Sequence, residues 1–329
     1  MQGDVAARTS GYVAATIETG VSRASNLARR ITYGRLILSM LLFDVTIAVA
    51  QNVGFTSDAG AVPPSTVREH ELLEPPEVDS FPWWAGELAL ALGGDYSSGD
   101  YGQRQDTDML YIPFTATYLF EDLALTPYEG DQLELRVTMS YLRIRGEGTV
   151  LPGGTASREA SRRRSTEEGF GDIYLLANYI WLPPWLHVPL VEFGVLVKVP
   201  TASANKGLGT GETDVTFQWG LAHRFGNWSP FVTLGYRFMG SSSEFNLENR
   251  WLTSMGMTYQ QDERWSFGLA YDYREAASAY SYDSHELVPY ASIRLGQGFR
   301  LGPYVAIGLS KGSPDYAVGV QMHWSRLFR

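Results

Sequence analysis

No cysteine occurs among the 329 residues, which excludes a disulfide framework, a thiolate zinc site, an iron–sulfur cluster and a cysteine nucleophile. Stability must come from burial and hydrogen bonding. A basic surplus is missing too, since 36 Asp and Glu against 26 Lys and Arg give a formal charge of -10. A nucleic-acid footprint needs a basic face to neutralise phosphates, so no nucleic-acid partner is expected. Long apolar runs are equally scarce. The mean hydropathy of -0.14 speaks against a multi-helix transporter, and the one helical apolar stretch, residues 36–50, is too short and poorly flanked for a stable spanning helix.

That stretch reads as the core of a signal peptide. Arg29, Arg30 and Arg35 supply a positive flank, residues 36–47 the apolar region, and Ala48, Val49 and Ala50 a small-residue cleavage site before Gln51. Asp44 interrupts the run, and a short buried or interfacial helix is the alternative. Residues 1–50 are therefore expected to be a signal peptide. From 51 to 82 there is no periodicity, and Pro63, Pro64, Pro75, Pro76 and Pro82 stand among Glu69, Glu71, Glu74, Glu77 and Asp79. This segment is expected to be an extended periplasmic leader, either a tail or a plug threaded into a pore.

Residues 83–329 follow a different rule. Their hydrophobic period is 2, in runs of about ten residues where strands of soluble domains have roughly five or six. Leu133, Leu135, Val137, Met139 and Tyr141 oppose Glu134, Arg136, Thr138 and Ser140. Val191, Phe193, Val195, Val197 and Val199 oppose Glu192, Gly194, Leu196 and Lys198. Trp265, Phe267, Leu269, Tyr271 and Tyr273 oppose Ser266, Gly268, Ala270 and Asp272, and residues 316–324 repeat the pattern. One face is large and apolar; the other is small or polar.

The runs predict strands near 84–94, 109–120, 132–144, 170–181, 190–200, 214–223, 229–239, 250–259, 265–273, 285–295, 300–310 and 316–325, about twelve, an even number as bacterial barrels require. Lipid offers the backbone no hydrogen-bond partner, so a sheet with a greasy outer face must close on itself. The expected fold is an all-β, transmembrane antiparallel β-barrel of the Gram-negative outer membrane. Long connections alternate with short turns near 224–228, 260–264 and 296–299, which places the short turns and both termini in the periplasm. Trp84, Trp181, Trp228, Trp265 and Trp324 are expected at the periplasmic interface, and Trp251, Tyr271 and Tyr273 at the outer one.

The inward face carries the candidate pore-lining residues: Glu87, Glu134, Arg136, Asp172, Asn178, Glu192, Lys198, Thr216, Gln218, Arg237, Asp272, Arg274, Glu286, Tyr290 and Arg294, with Asp214 among them. Charges of both signs can pair across strands, which narrows a pore and mutes its preference for either ion. The same residues could equally form a structural network that plugs the barrel. About twelve strands imply a constricted passage.

Catalytic and cofactor signals are weak. The loop Lys206-Gly207-Leu208-Gly209-Thr210-Gly211 puts its Lys before the glycines and is followed by a strand, which argues against a phosphate loop. His70, His187, His223, His285 and His323 lack metal-ligand spacing. His223 or His323 near a Ser would be needed for an outer-membrane hydrolase, and nothing else supports one. No enzyme activity, metal or cofactor is expected. Arg162, Arg163 and Arg164, in a long external loop, could meet lipopolysaccharide phosphates or simply be solvated.

Several segments carry a resemblance. They are Tyr111-Ile112-Pro113-Phe114, residues 140–148, Gly169-Phe170-Gly171-Asp172, Lys198-Val199-Pro200-Thr201, the 206–211 loop with Asp214, and Gly312-Ser313-Pro314-Asp315-Tyr316. Together they resemble the outer-membrane transporter-like barrels related to the phenol-degradation meta-pathway proteins. The resemblance spans most of the chain from Trp83 onward and is most specific between Lys198 and Asp214. It implies a channel for small organic, including aromatic, solutes, and transfers no catalytic residue. Such barrels usually end on an aromatic residue read by the outer-membrane assembly machinery, whereas here Arg329 follows Phe328. The expectation is a passive, narrow pore that sits in the lipid bilayer and passes a small solute; the alternative is a non-conducting barrel with a structural or surface-interaction role.

Overall fold

The computed structural model describes residues 86–121, 131–146, 150–151, 155–156, 165–183, 188–240 and 247–328. The segments expected to be signal peptide and leader, with Trp84, Arg162, Arg163, Arg164 and Arg329, lie outside the described residues. No described helix is long and apolar enough to cross a membrane. The chain crosses with strands instead.

Three long strands, β1 (Gly86–Gly99), β2 (Thr107–Glu121) and β3 (Gln132–Gly146), open the wall. A detached two-stranded ribbon follows, β4 (Val150–Leu151) with β5 (Thr155–Ala156). Next come β6 (Ser165–Phe170), β7 (Ile173–Trp181), β8 (Leu190–Val199), β9 (Asp214–Ala222), β10 (Trp228–Phe238) and β11 (Arg250–Gln260). The wall ends with β12 (Trp265–Arg274), β13 (Ser284–Gly296), β14 (Phe299–Gly308) and β15 (Tyr316–Phe328). In the wall β1 to β3 and β7 to β15 pair antiparallel in sequence order, β3 pairs with both β6 and β7, and β1 pairs with β15 from Gly86↔Phe328 to Ser98↔Tyr316. Because β6 and β7 share one lane against β3, the result is a closed antiparallel barrel of 12 strands. No strand edge is left for lipid to meet.

The alternation sets the facing. On β8, Phe193 and Val195 point out and are 47% and 38% exposed, whereas Leu196 and Lys198 point in and are 3% and 5% exposed. Aromatic rings collect at both rims. At the short-turn end Trp228 packs on Tyr259 at 4.6 Å and Trp265 stacks on Phe267 at 6.1 Å. At the long-loop end Trp251 meets Tyr236 at 4.7 Å, and Tyr273 meets His285 at 5.0 Å. These are the interfacial belts that anchor an apolar band in a bilayer.

Two elements extend past their expected ends. The polar stretch from Asp95 to Gly99 continues β1 rather than forming a loop, because Asp95 and Ser97 face inward and Tyr96 outward in the same period. Likewise residues 165–169, expected as loop, form β6 with Phe170 and pair with the upper half of β3. There the polarity inverts: Leu142 and Ile144 are buried inside, while Arg143 pairs with Glu168 outside at 3.7 Å. The wall has left the membrane at that height, so water, not lipid, meets its outer face.

Candidate functional site

The lumen is the site, and its chemistry changes with depth. Nearest the short turns, Leu119, Ile180, Leu182, Leu190 and Ala222 form an apolar floor, with Phe231 packed against it. Above it lies a polar belt. Glu134 pairs with Arg136, whose Nε donates to Thr117 Oγ1 at 3.3 Å. Asn178 donates to Glu192 at 3.3 Å, and the Thr115 and Thr138 hydroxyls meet at 3.1 Å. Every one of these side chains is buried, which is tolerable because each finds a polar partner, across the strand or two residues along it.

On the opposite wall small residues make room for tyrosines. A Cβ on Gly268 would lie 2.0 Å from the ring of Tyr290, and one on Gly319 would lie 2.3 Å from that of Tyr304. Both rings thus lie flat over glycine. Their hydroxyls are used: Tyr290 meets Thr258 at 2.6 Å and Tyr304 donates to Asp95. Ser254 donates to Asp272 at 2.6 Å just above.

Toward the long loops the two walls diverge. On one, Tyr111, Leu142, Ile144, Tyr174, Leu176 and Leu196 form an apolar surface. Tyr101 from the β1–β2 loop and Leu208 from the β8–β9 loop fold inward onto it and are 0% and 1% exposed. Burial pushes the Tyr101 hydroxyl above its ordinary titration range, so it stays protonated and bonds Ser97 at 3.0 Å. On the other wall stand Arg237, Arg250 and Arg274. Arg237 Nε donates to Thr216 Oγ1 at 3.1 Å, and Arg274 pairs with Glu286 and donates to Ser284 at 2.7 Å.

A knot of charge fastens the inturned β8–β9 loop. Lys198 Nζ lies 2.9 Å from Asp214 and 3.7 Å from Asp172, and donates to Thr210 Oγ1 at 2.6 Å. Asp172 accepts the Ala202 N–H at 2.9 Å, and Thr201 donates to the Gly171 carbonyl at 3.1 Å. Gly209 is required here, since a Cβ would sit 2.8 Å from both Asp172 Oδ2 and Ala202 Cβ. The segments that carry the resemblance, Gly169 to Asp172, Lys198 to Thr201 and the glycine loop, therefore meet in space as one latch.

Of the inward residues named from sequence, Glu134, Arg136, Asp172, Asn178, Glu192, Lys198, Asp214, Thr216, Gln218, Arg237, Asp272, Arg274, Glu286 and Tyr290 are buried inside the barrel. Glu87 and Arg294 sit at the short-turn rim, half-buried. Alternation did not single out Asp95, Tyr101, Tyr111, Tyr174, Leu208, Arg250, Arg300 or Tyr304, all buried. Glycines in register with tyrosines, as at Gly268↔Tyr290 and Gly319↔Tyr304, were a usable signal. Neither ring nitrogen of His323 has a hydrogen-bond partner, so geometry gives a Ser–His pair no support there. No group of three or more residues suited to a metal occurs among the described residues.

Comparison with known proteins agrees with this architecture. The crystal structure of an outer membrane channel from Pseudomonas putida F1 superposes with a TM-score of 0.56 at 14% identity, covering 78% of this chain and all 100% of that one. Weaker likenesses are the CymD monoaromatic hydrocarbon channel, with a TM-score of 0.41, 12% identity and coverage of 75% and 90%, and the Ralstonia pickettii toluene transporter TbuX, with 0.40, 12%, and 85% and 98%. No protein of curated function matches the chain. The closed barrel with its apolar band and aromatic rims is a bacterial outer-membrane protein. Residues 90–327 match the family model described as "Putative MetA-pathway of phenol degradation", and the chain belongs to that family.

Proposed function

We propose that the barrel is a passive channel for small organic solutes with an aromatic or apolar body. The observation that carries this reading is the inward apolar surface of Tyr111, Tyr174, Leu176 and Leu196 beneath the inturned loops. A lumen built only for strand cohesion has no use for apolar area at its mouth. Apolar area there lets a ring leave water, worth roughly 25 cal/mol per Å² buried. The polar belt below, with Glu134, Arg136, Asn178, Glu192 and Gln218, would exchange hydrogen bonds with the solute's polar group, as Asp272, Tyr290 and Glu286 would on the facing wall. In this reading passage runs down the solute's gradient. Lipopolysaccharide, the assembly machinery and the export signal in residues 1–50 belong to the same reading.

One observation favours the rival, a sealed structural barrel. Tyr101 and Leu208 close the outer end as Leu119, Ile180 and Leu190 close the inner one. Proteoliposome swelling decides between them. The channel admits phenyl glucoside and conducts ions in planar bilayers; a barrel that does neither is structural.

A further inference from the structure

We infer that Arg237, Arg250 and Arg274 form an anion-binding station in the outer lumen, which takes the carboxylate of a small aromatic acid while Tyr174 and Leu196 face its ring. The inference rests on the channel reading and names its solute class. Arg237 and Arg250 stand directly opposite each other on β10 and β11 and are 1% and 3% exposed. Like charges in that position repel, and burying a guanidinium costs more than any neutral side chain. Asp214 is a resident counter-charge to both.

Asp214 is shared with Lys198, and Glu286 is shared with Arg274. Asp214 holds Lys198 at 2.9 Å and accepts the Gly240 N–H at 3.0 Å. Glu286 takes Arg274 and the Ser284 hydroxyl at 2.8 Å. Asp272 lies deeper and takes Ser254. Arg237 spends its Nε on Thr216, yet its Nη2 is buried with no acceptor. A carboxylate suits that Nη2, because a guanidinium offers two parallel N–H donors to one planar anion.

The aromatic half of the assignment comes from the facing wall. Tyr174 stands opposite Lys198 on β8 and Lys198 opposite Asp214 on β9, two residues along from Thr216, which Arg237 bonds, and Tyr174 packs in the same cluster as Leu196 and Tyr111. The cation and the apolar face are thus adjacent, as an amphipathic solute requires. A free inorganic anion would need only the first of them.

The test uses the full chain purified in detergent, with benzoate, benzyl alcohol and chloride as probes. Benzoate is expected to bind and to raise the unfolding temperature, with Arg237→Gln weakening it about tenfold, the loss typical of one charge-assisted pair. A heat-modifiable gel shift reports whether the variant is folded. Should it not fold, Arg250→Gln carries the test. Equal binding of benzoate and benzyl alcohol, of benzoate and chloride, or of benzoate to wild type and folded variant, overturns the assignment. Benzoate binding without ion conductance would sink the channel and leave the station standing; conductance without benzoate preference would do the reverse.

Discussion

Two levels of the lumen are built on opposite principles. In the central belt inward polar groups answer one another across strands, as Thr115 answers Thr138 and Asn178 answers Glu192, so the wall itself supplies the filling. At the long-loop end the filling comes from outside the wall. Tyr101 and Leu208 arrive on loops, and a single cation, Lys198, ties down one of those loops through two acids. The difference teaches that pairing across a ladder distributes cohesion over many weak contacts, whereas a latch concentrates it in one side chain.

That contrast is broken most severely by Lys198→Met. Removing the ammonium leaves Asp172 and Asp214 buried against each other, and deleting one partner of a buried pair costs about 3–5 kcal/mol. Urea unfolding in lipid vesicles should show that loss, and a cost under about 1 kcal/mol would mean the latch is cosmetic. The lipid face gives the next largest effect. Val195→Arg puts a charge against hydrocarbon and should cost about 2–4 kcal/mol, read as folding yield in the same vesicles. Leu196→Arg, on the lumen side, is no mild control, because Leu196 packs among apolar residues rather than polar ones.

Leu196 also shows what alternation could and could not reveal. Its inward direction was legible, since a strand has only two faces and the outward one is uniformly large and apolar. Its surroundings were not. Period 2 states which way a residue points, but Lys198 meets Asp172 and Asp214 through the register of β8 against β7 and β9, which alternation does not give. The same blindness hid β6: Glu167 and Glu168 look like loop because their strand stands above the lipid, where the outer face is charged. Ser97 and Asp95 were misjudged for the mirror reason, being polar residues that face inward on β1.

Leu208→Ala sharpens the comparison from the functional side. Leu208 touches the cap cluster and lies near the backbone of Gly169, so truncation should cost about 2–3 kcal/mol, the lower range for a buried Leu to Ala change. It should also raise single-channel conductance, because the removed volume lies across the outer mouth. Unchanged conductance in a folded variant would place the constriction elsewhere, with the floor of Leu119 and Ile180 as the next candidate.

The smallest effect belongs to the belt. Thr115→Val removes one hydroxyl of a buried pair and leaves Thr138 facing an isosteric methyl, for a loss of about 1 kcal/mol. Because neighbouring rungs such as Asn178 with Glu192 are independent of it, conductance should stay as it was. A loss near that of Lys198→Met would show that the belt is a cooperative network rather than a ladder of separate rungs, and the distinction between the two levels would disappear.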